Sequence, residues 1–113
     1  MSNLALSIII PCLNESENLK KLIPEIKSYI GKKFTFEIII IDGITVDRKT
    51  LNIAKKNKIK YLNRKKNNDY GNAVRFGIKN SSGKHTLFMD GDYSHQPKFI
   101  LKLYKERSND VVI

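Results

Sequence analysis

The chain has 113 residues, enough for one domain with its own core and too few for two. Hydrophobic residues make up 41% and fall in short runs, none near the roughly 20 residues that cross a bilayer, and the N-terminus lacks the order of a secretory signal, so a cytoplasmic globular domain is expected. The net charge of +10 points to an anionic partner (nucleic acid, a phospholipid surface or a phosphorylated substrate), with solvated lysines in a Lys-, Asn- and Ile-rich chain as the competing explanation.

Leu6–Ile10 is a continuous apolar run, the mark of a strand buried on both faces, and Pro11 ends it. Cys12, the lone cysteine, is expected to be a packing residue. Asn14 or Ser16 caps a helix whose apolar face is Leu19, Leu22, Ile23, Ile26 and Ile30; Pro24 should kink or split it, and Gly31 should stop it. Glu37–Ile41 is a second buried strand. A helix over Asp47–Asn57 follows, with Leu51 and Ala54 inward, then a short strand at Ile59–Leu62 and a basic loop, Arg64–Tyr70. The pattern predicts a helix over Ala73–Asn80 with Val74, Ile78 and Phe76 packed, a strand over His85–Met89, and a helix over Lys98–Glu106 with Pro97 in its first turn. Asp110–Ile113 begins a fifth strand.

Strands alternating with helices imply right-handed βαβ units and a mainly parallel sheet with helices on both faces. Ligands of such sheets bind beyond the carboxyl ends of the strands. That rule selects the loops starting at Pro11, Asp42 and Asp90, and all three carry carboxylates. The third, Met89-Asp90-Gly91-Asp92, has two carboxylates suited to a hard divalent cation, Mg²⁺ or Mn²⁺, that would bridge to a diphosphate. Gly91 leaves room for substrate to approach closely. Taken singly, each acid has a plainer role: Asn14, Glu15 and Asp47 can cap helices, and aspartates are common in turns.

These stretches resemble the N-terminal part of family-2 glycosyltransferases with the GT-A fold, and within them the dolichol-phosphate (polyprenyl-phosphate) mannosyltransferases. The resemblance is carried by Ser7-Ile8-Ile9-Ile10-Pro11-Cys12-Leu13-Asn14-Glu15 with Asn18-Leu19, by Glu37 to Asp42, by Gly71-Asn72-Ala73 with Gly77, and by Met89-Asp90-Gly91-Asp92-Tyr93-Ser94-His95-Gln96-Pro97. It implies a Rossmann-like α/β fold truncated after the fifth strand, with residues 1–113 as a single donor-binding domain and the acceptor-binding half absent. Pro11, Leu13, Asn14 and Glu15 would line the base and ribose pocket, and Asp42 would contact the nucleoside. Asp90 and Asp92 would hold the metal and diphosphate, Asp92 being the residue on which catalysis depends. Gly91 would contribute its backbone, and Ser94 would lie near the metal. The implied reaction is an inverting transfer of a sugar, mannose first, from GDP-mannose or UDP-glucose to a polyprenyl-phosphate lipid. The alternative is a non-catalytic or degenerate fragment that binds nucleotide sugar.

The chain departs from the family pattern in two places. Asp42-Gly43-Ile44-Thr45-Val46-Asp47 lacks the usual middle acid and puts Ile44 where glycine is usual, a strained choice if φ there is positive. Leu13 replaces a frequent aromatic. Lys65 and Lys66 follow the third strand and are candidates to border the donor site, whereas Lys55 to Lys60 read as a solvated face. Peripheral contact at the cytoplasmic membrane face is the extension the basic stretch allows. No nucleic-acid partner is expected, since no recognition motif accompanies the charge, and a dehydrogenase is excluded because Pro-Cys-Leu-Asn-Glu, not a glycine-rich turn, follows the first strand. His85 is expected to be structural and His95 to shape its loop. A sheet ending at an unpaired strand predicts that the isolated chain is poorly stable or self-associates.

Overall fold

The computed structural model describes residues 4–92, residue 100 and residues 111–112. Five strands form one parallel sheet in the order β3-β2-β1-β4-β5. They are β1 (Leu6–Pro11), β2 (Phe36–Asp42), β3 (Lys60–Asn63), β4 (His85–Phe88) and β5 (Val111–Val112). The helices are α1 (Ser16–Ile30), α2 (Arg48–Asn57) and α3 (Tyr70–Lys79).

The isoleucine runs explain the layering. Alternate residues of a strand face opposite sides, so Ile8, Ile10, Ile38 and Ile40 pack with α1 and with Ile53 and Ala54 of α2. Ile9, Ile39 and Ile41 pack with Phe88 and Ala73 of α3 on the other face. A run apolar at every position is what two covered faces require.

Several local expectations are corrected. Pro24 does not split α1, because its ring lies on the solvent side while Leu19, Leu22, Ile23, Ile26 and Ile30 are buried on the other. Neither Asn14 nor Ser16 caps this helix; Glu15 occupies the cap position without a side-chain bond, and Asn14 takes a left-handed φ of 55° in the turn before it. Gly31 ends α1 without left-handed backbone. In α2 the buried residues are Thr50, Ile53 and Ala54, and Leu51 is half-buried. Helix α3 starts earlier than predicted, and Ile78 is exposed. Its buried face is instead Ala73 and Gly77, small residues that let the helix sit close: a Cβ at Gly77 would lie 2.6 Å from Ile9 Cγ2. Strands β1 to β4 differ from the predicted limits by a residue at one end or both; Pro11 does not end β1 but is its last residue, in register with Ile41. Of the predicted helix 98–106, only buried Ile100 is described.

Connections after β1 run outward to β2 and β3, whereas β4 pairs with the opposite side of β1. The carboxyl ends of β1 and β4 therefore form the point where the strand order reverses, the place where a crevice opens in sheets of this kind.

Candidate functional site

A cleft of about 230 Å³ lies at that point. The turn after β1 gives it Pro11, Cys12, Leu13 and Glu15, and the turn after β4 gives it Asp90, Gly91 and Asp92. The loop after β3 adds Arg64, Asn68 and Tyr70. Backbone bonds carry the sheet pattern up to these turns: Met89 N–H donates to Ile9 O (3.0 Å), Cys12 N–H to Ile41 O (3.0 Å) and Arg64 N–H to Asp42 O (3.1 Å). The sheet thus fixes where each turn starts.

Six of the sequence-derived candidates meet here: Pro11, Leu13, Glu15, Asp90, Gly91 and Asp92. Gly91 is buried against the β1 turn, and a Cβ there would stand 3.0 Å from Cys12 Cβ and 3.4 Å from Glu15 Cβ. Asn14 shapes the turn and does not line the cleft. Ser94 and His95 lie outside the described residues.

Asp42 is also outside the cleft wall. It is 2% exposed, and its carboxylate accepts from Gly43 N–H (2.8 Å), Asp47 N–H (3.1 Å) and the Tyr61 hydroxyl (2.6 Å). Asn63 Nδ2 donates to Gly43 O (2.7 Å) and to the Tyr61 hydroxyl (3.2 Å). This network fixes the loop between β2 and α2, and Asp47 caps α2 through Lys49 N–H (3.2 Å) and Thr50 Oγ1 (2.8 Å). Ile44 is unstrained: among the described residues only Asn14 and Lys58 are non-glycine positions with positive φ. Its N–H donates to Asn68 Oδ1 (2.9 Å), which joins this loop to the one after β3.

Arg64, and neither Lys65 nor Lys66, is the cation of the cleft. It is 4% exposed. Nη1 donates to Asn68 O (3.0 Å) and Nη2 reaches Cys12 O at 3.5 Å, while Nε is buried with no partner. Both salt bridges among the described residues lie elsewhere, Lys20 with Glu17 and Lys60 with Glu37. A buried guanidinium without a carboxylate is costly to desolvate, and this one borders an open cleft. Lys65 lies over the Phe76 ring, 5.4 Å from its centroid, and neither it nor Lys66 lines the cleft. The available signal was position: Arg64 directly follows a strand on the binding edge.

Burial, and then the nearby Asp42 charge, push the Cys12 thiol up to about 12, so it is not a nucleophile at neutral pH. Burial and the Asp42 hydrogen bond push Tyr61 up to about 12. Tyr70 is raised by burial and then by the charge of Asp90, which lines the same cleft.

Among the described residues no group of three or more His, Cys, Asp or Glu side chains is gathered for a metal. Three carboxylates line the cleft, Glu15 on the turn after β1 and the pair Asp90 and Asp92 on the turn after β4, and that pair is the candidate donor set. That donor set fits a hard cation of the Mg²⁺ kind, which keeps waters and takes its remaining ligands from substrate phosphates.

Comparison with known proteins agrees with the fold and the motif order. The sequence pattern of the family described as Glycosyl transferase family 2 matches residues 7–113. The dolichol-phosphate mannosyltransferase of Pyrococcus furiosus is 34% identical over 106 residues, covering 91% of this chain and 30% of that protein. The human dolichyl-phosphate beta-glucosyltransferase is 31% identical over 113 residues, covering 88% of this chain and 35% of that protein. The chain thus spans about a third of the length of these relatives. The fold is shared with glucosyl-3-phosphoglycerate synthase of Mycobacterium tuberculosis, solved with Mn²⁺, UDP and phosphoglyceric acid (TM-score 0.75, 21% identity, 91% of this chain and 38% of that one). The chain belongs to glycosyltransferase family 2, and its parallel sheet shares the GT-A fold.

Proposed function

We propose that the cleft binds the diphosphate of a nucleotide sugar, and that the protein transfers the sugar with inversion to a polyprenyl phosphate. The observation that carries this reading is Arg64, a buried guanidinium with no carboxylate ion pair among the described residues, in a cleft that also carries Asp90 and Asp92. Cation and carboxylates in one cleft suit a diphosphate chelated to a metal: Arg64 meets phosphate oxygens directly and the aspartates meet them through the cation. A divalent cation held by Asp90 and Asp92 would neutralise the charge that grows on the departing diphosphate.

In the proposed transfer a bond forms between an acceptor phosphate oxygen and the anomeric carbon, and the bond from that carbon to the donor diphosphate breaks. The products are a sugar phospholipid and a nucleoside diphosphate. The acceptor is already ionised at neutral pH and needs no general base. The protein's part is positioning and electrostatics: Gly91 brings the β4 turn against the β1 turn, Leu13 and Tyr70 offer apolar surface, and Arg64 and Asp92 hold charge. A lipid phosphate as the acceptor is supported by what both relatives are called, and mannose by the name of the Pyrococcus furiosus protein, the human one being named for glucose.

The test incubates the protein with labelled GDP-mannose or UDP-glucose, Mn²⁺ and a polyprenyl phosphate, and follows label into an organic-extractable lipid. The reading expects lipid product with one donor, abolished in Asp92→Asn. Donor binding without product would leave these residues as a nucleotide-sugar binding module.

A further inference from the structure

Six large hydrophobic residues are exposed among the described residues: Leu13, Tyr29, Ile44, Val46, Tyr70 and Ile78. Scattered singly, such residues need no explanation, but four of these six stand on the loops at the carboxyl edge of the sheet. Leu13, Ile44 and Tyr70 stand on segments that meet one another, and Val46 follows two residues after Ile44. Leu13 abuts the start of the β2–α2 loop, where a Cβ on Gly43 would lie 2.6 Å from Leu13 Cδ2. Ile44 is tied to Asn68 of the next loop, and Tyr70 shares the cleft with Asn68 and Leu13. A bound nucleotide would occupy Leu13 and Tyr70. It leaves Ile44 and Val46, 44% and 45% exposed and outside the cleft, with no part to play.

Charge flanks the same edge. Residues 48–68 contain nine Lys or Arg and no acid. Arg48 and Lys49, exposed on the first turn of α2, follow the Ile44–Val46 loop directly, and Lys66 is exposed on the neighbouring loop. The acids nearby are engaged or set apart: Asp42 is buried, Asp47 caps α2, and Glu15, Asp90 and Asp92 belong to the cleft. Outside the cleft, Asp69 is the only fully exposed acid on these loops among the described residues.

We propose that this edge docks on an anionic phospholipid bilayer, with Ile44 and Val46 entering the boundary between headgroups and acyl chains and with Arg48, Lys49 and Lys66 against the headgroups. Apolar tips beside cations are the chemistry an anionic membrane surface recognises. The docking would turn the cleft toward a lipid-borne phosphate, and in that sense it rests on the acceptor proposed above. It also gives Ile44 a use: with φ not positive, glycine is not required there, and the exposed side chain is available for contact.

The test is co-sedimentation of the 113-residue chain with phosphatidylcholine vesicles, with and without phosphatidylglycerol. Binding is expected only with the anionic lipid. Arg48→Gln with Lys49→Gln should weaken it by about fivefold per cation, whereas Lys32→Gln with Lys33→Gln, the same charge change at the opposite edge, should change it by about twofold or less. Ile44→Ser with Val46→Ser should weaken it at least about tenfold. The chain has no tryptophan, so Ile44→Trp places one fluorophore at the proposed tip, and its emission should shift to the blue on anionic vesicles. No binding to anionic vesicles, equal losses from the two charge pairs, or binding indifferent to the serine substitutions would each overturn the proposal. The serine and glutamine variants should keep the wild-type donor-induced stabilisation. If vesicle binding fails while donor binding persists, the docking surface is wrong and the donor site stands; the reverse result condemns the donor site alone.

Discussion

Replacing Arg64 by methionine separates stability from ligand binding, because the side chain is poorly compensated in the free protein. Methionine keeps most of the volume and removes the charge. In the free chain the loss is one well-formed charge-assisted bond, Nη1 to Asn68 O at 3.0 Å, plus a marginal contact to Cys12 O at 3.5 Å. The first is worth about 1.5–3 kcal/mol. Against it stands the relief of a buried guanidinium whose Nε has no partner, a desolvation cost of about the same size or larger. The two nearly cancel, and the urea midpoint of Arg64→Met should lie close to wild type. Binding has no such compensation. Each charge-assisted bond to a diphosphate lost costs about 1.5–3 kcal/mol, so the Kd for the donor should rise by about 10- to 150-fold per bond. Arg64→Lys keeps the charge without the planar fork and should fall between. Calorimetric titration of GDP-mannose and UDP-glucose, beside urea melts of the same three proteins, reads both quantities. Donor affinity unchanged in Arg64→Met, with the variant folded, would refute the assignment of Arg64 to the diphosphate.

Other consequences follow from groups the cleft does not use. Stability should fall as pH rises from about 9 toward 12, because Cys12 and Tyr61 hold their protons more tightly folded than unfolded; their contribution is complete below the unfolded values of 9.0 and 10.0 and is lost through the folded ones. Urea melts across that range, with Cys12→Ala and Tyr61→Phe flattening the slope, check it. At pH 8 the folded thiol should alkylate about a thousandfold more slowly than in urea, following its thiolate fraction, and a fast folded-state reaction would contradict its burial. Gly77→Ala should cost about 1–3 kcal/mol by urea unfolding, since the added methyl would stand 2.6 Å from a side-chain atom of fully buried Ile9.

Much of this architecture is written in the chain. Consecutive isoleucines, Ile8–Ile10 and Ile38–Ile41, required strands covered on both faces, and strand–helix alternation made them parallel; together they put Pro11 and Asp90 at one crevice. Harder to read were features set by packing. The buried face of α3 is Ala73 and Gly77 because the helix lies close to Ile9, and no hydrophobic period announces a face made of small residues. Asp42 resembled a ligand residue, but its lone pairs are taken by donors from Tyr61 and Asp47, 19 and 5 residues away, a network only the folded chain assembles. Arg64 looked like one more cation in a basic stretch, and only burial set it apart from Lys65 and Lys66.

The measurement that bears most directly on the central claim is thermal unfolding of the chain with GDP-mannose and with UDP-glucose, each with and without Mn²⁺, in wild type and Asp92→Asn. A donor at about 100 times its Kd should add roughly 2.7 kcal/mol to stability. An upward shift is expected for one donor, requiring the metal and disappearing in Asp92→Asn. A folded wild-type chain that shifts with neither donor, or a shift that survives both metal removal and the substitution, would contradict it.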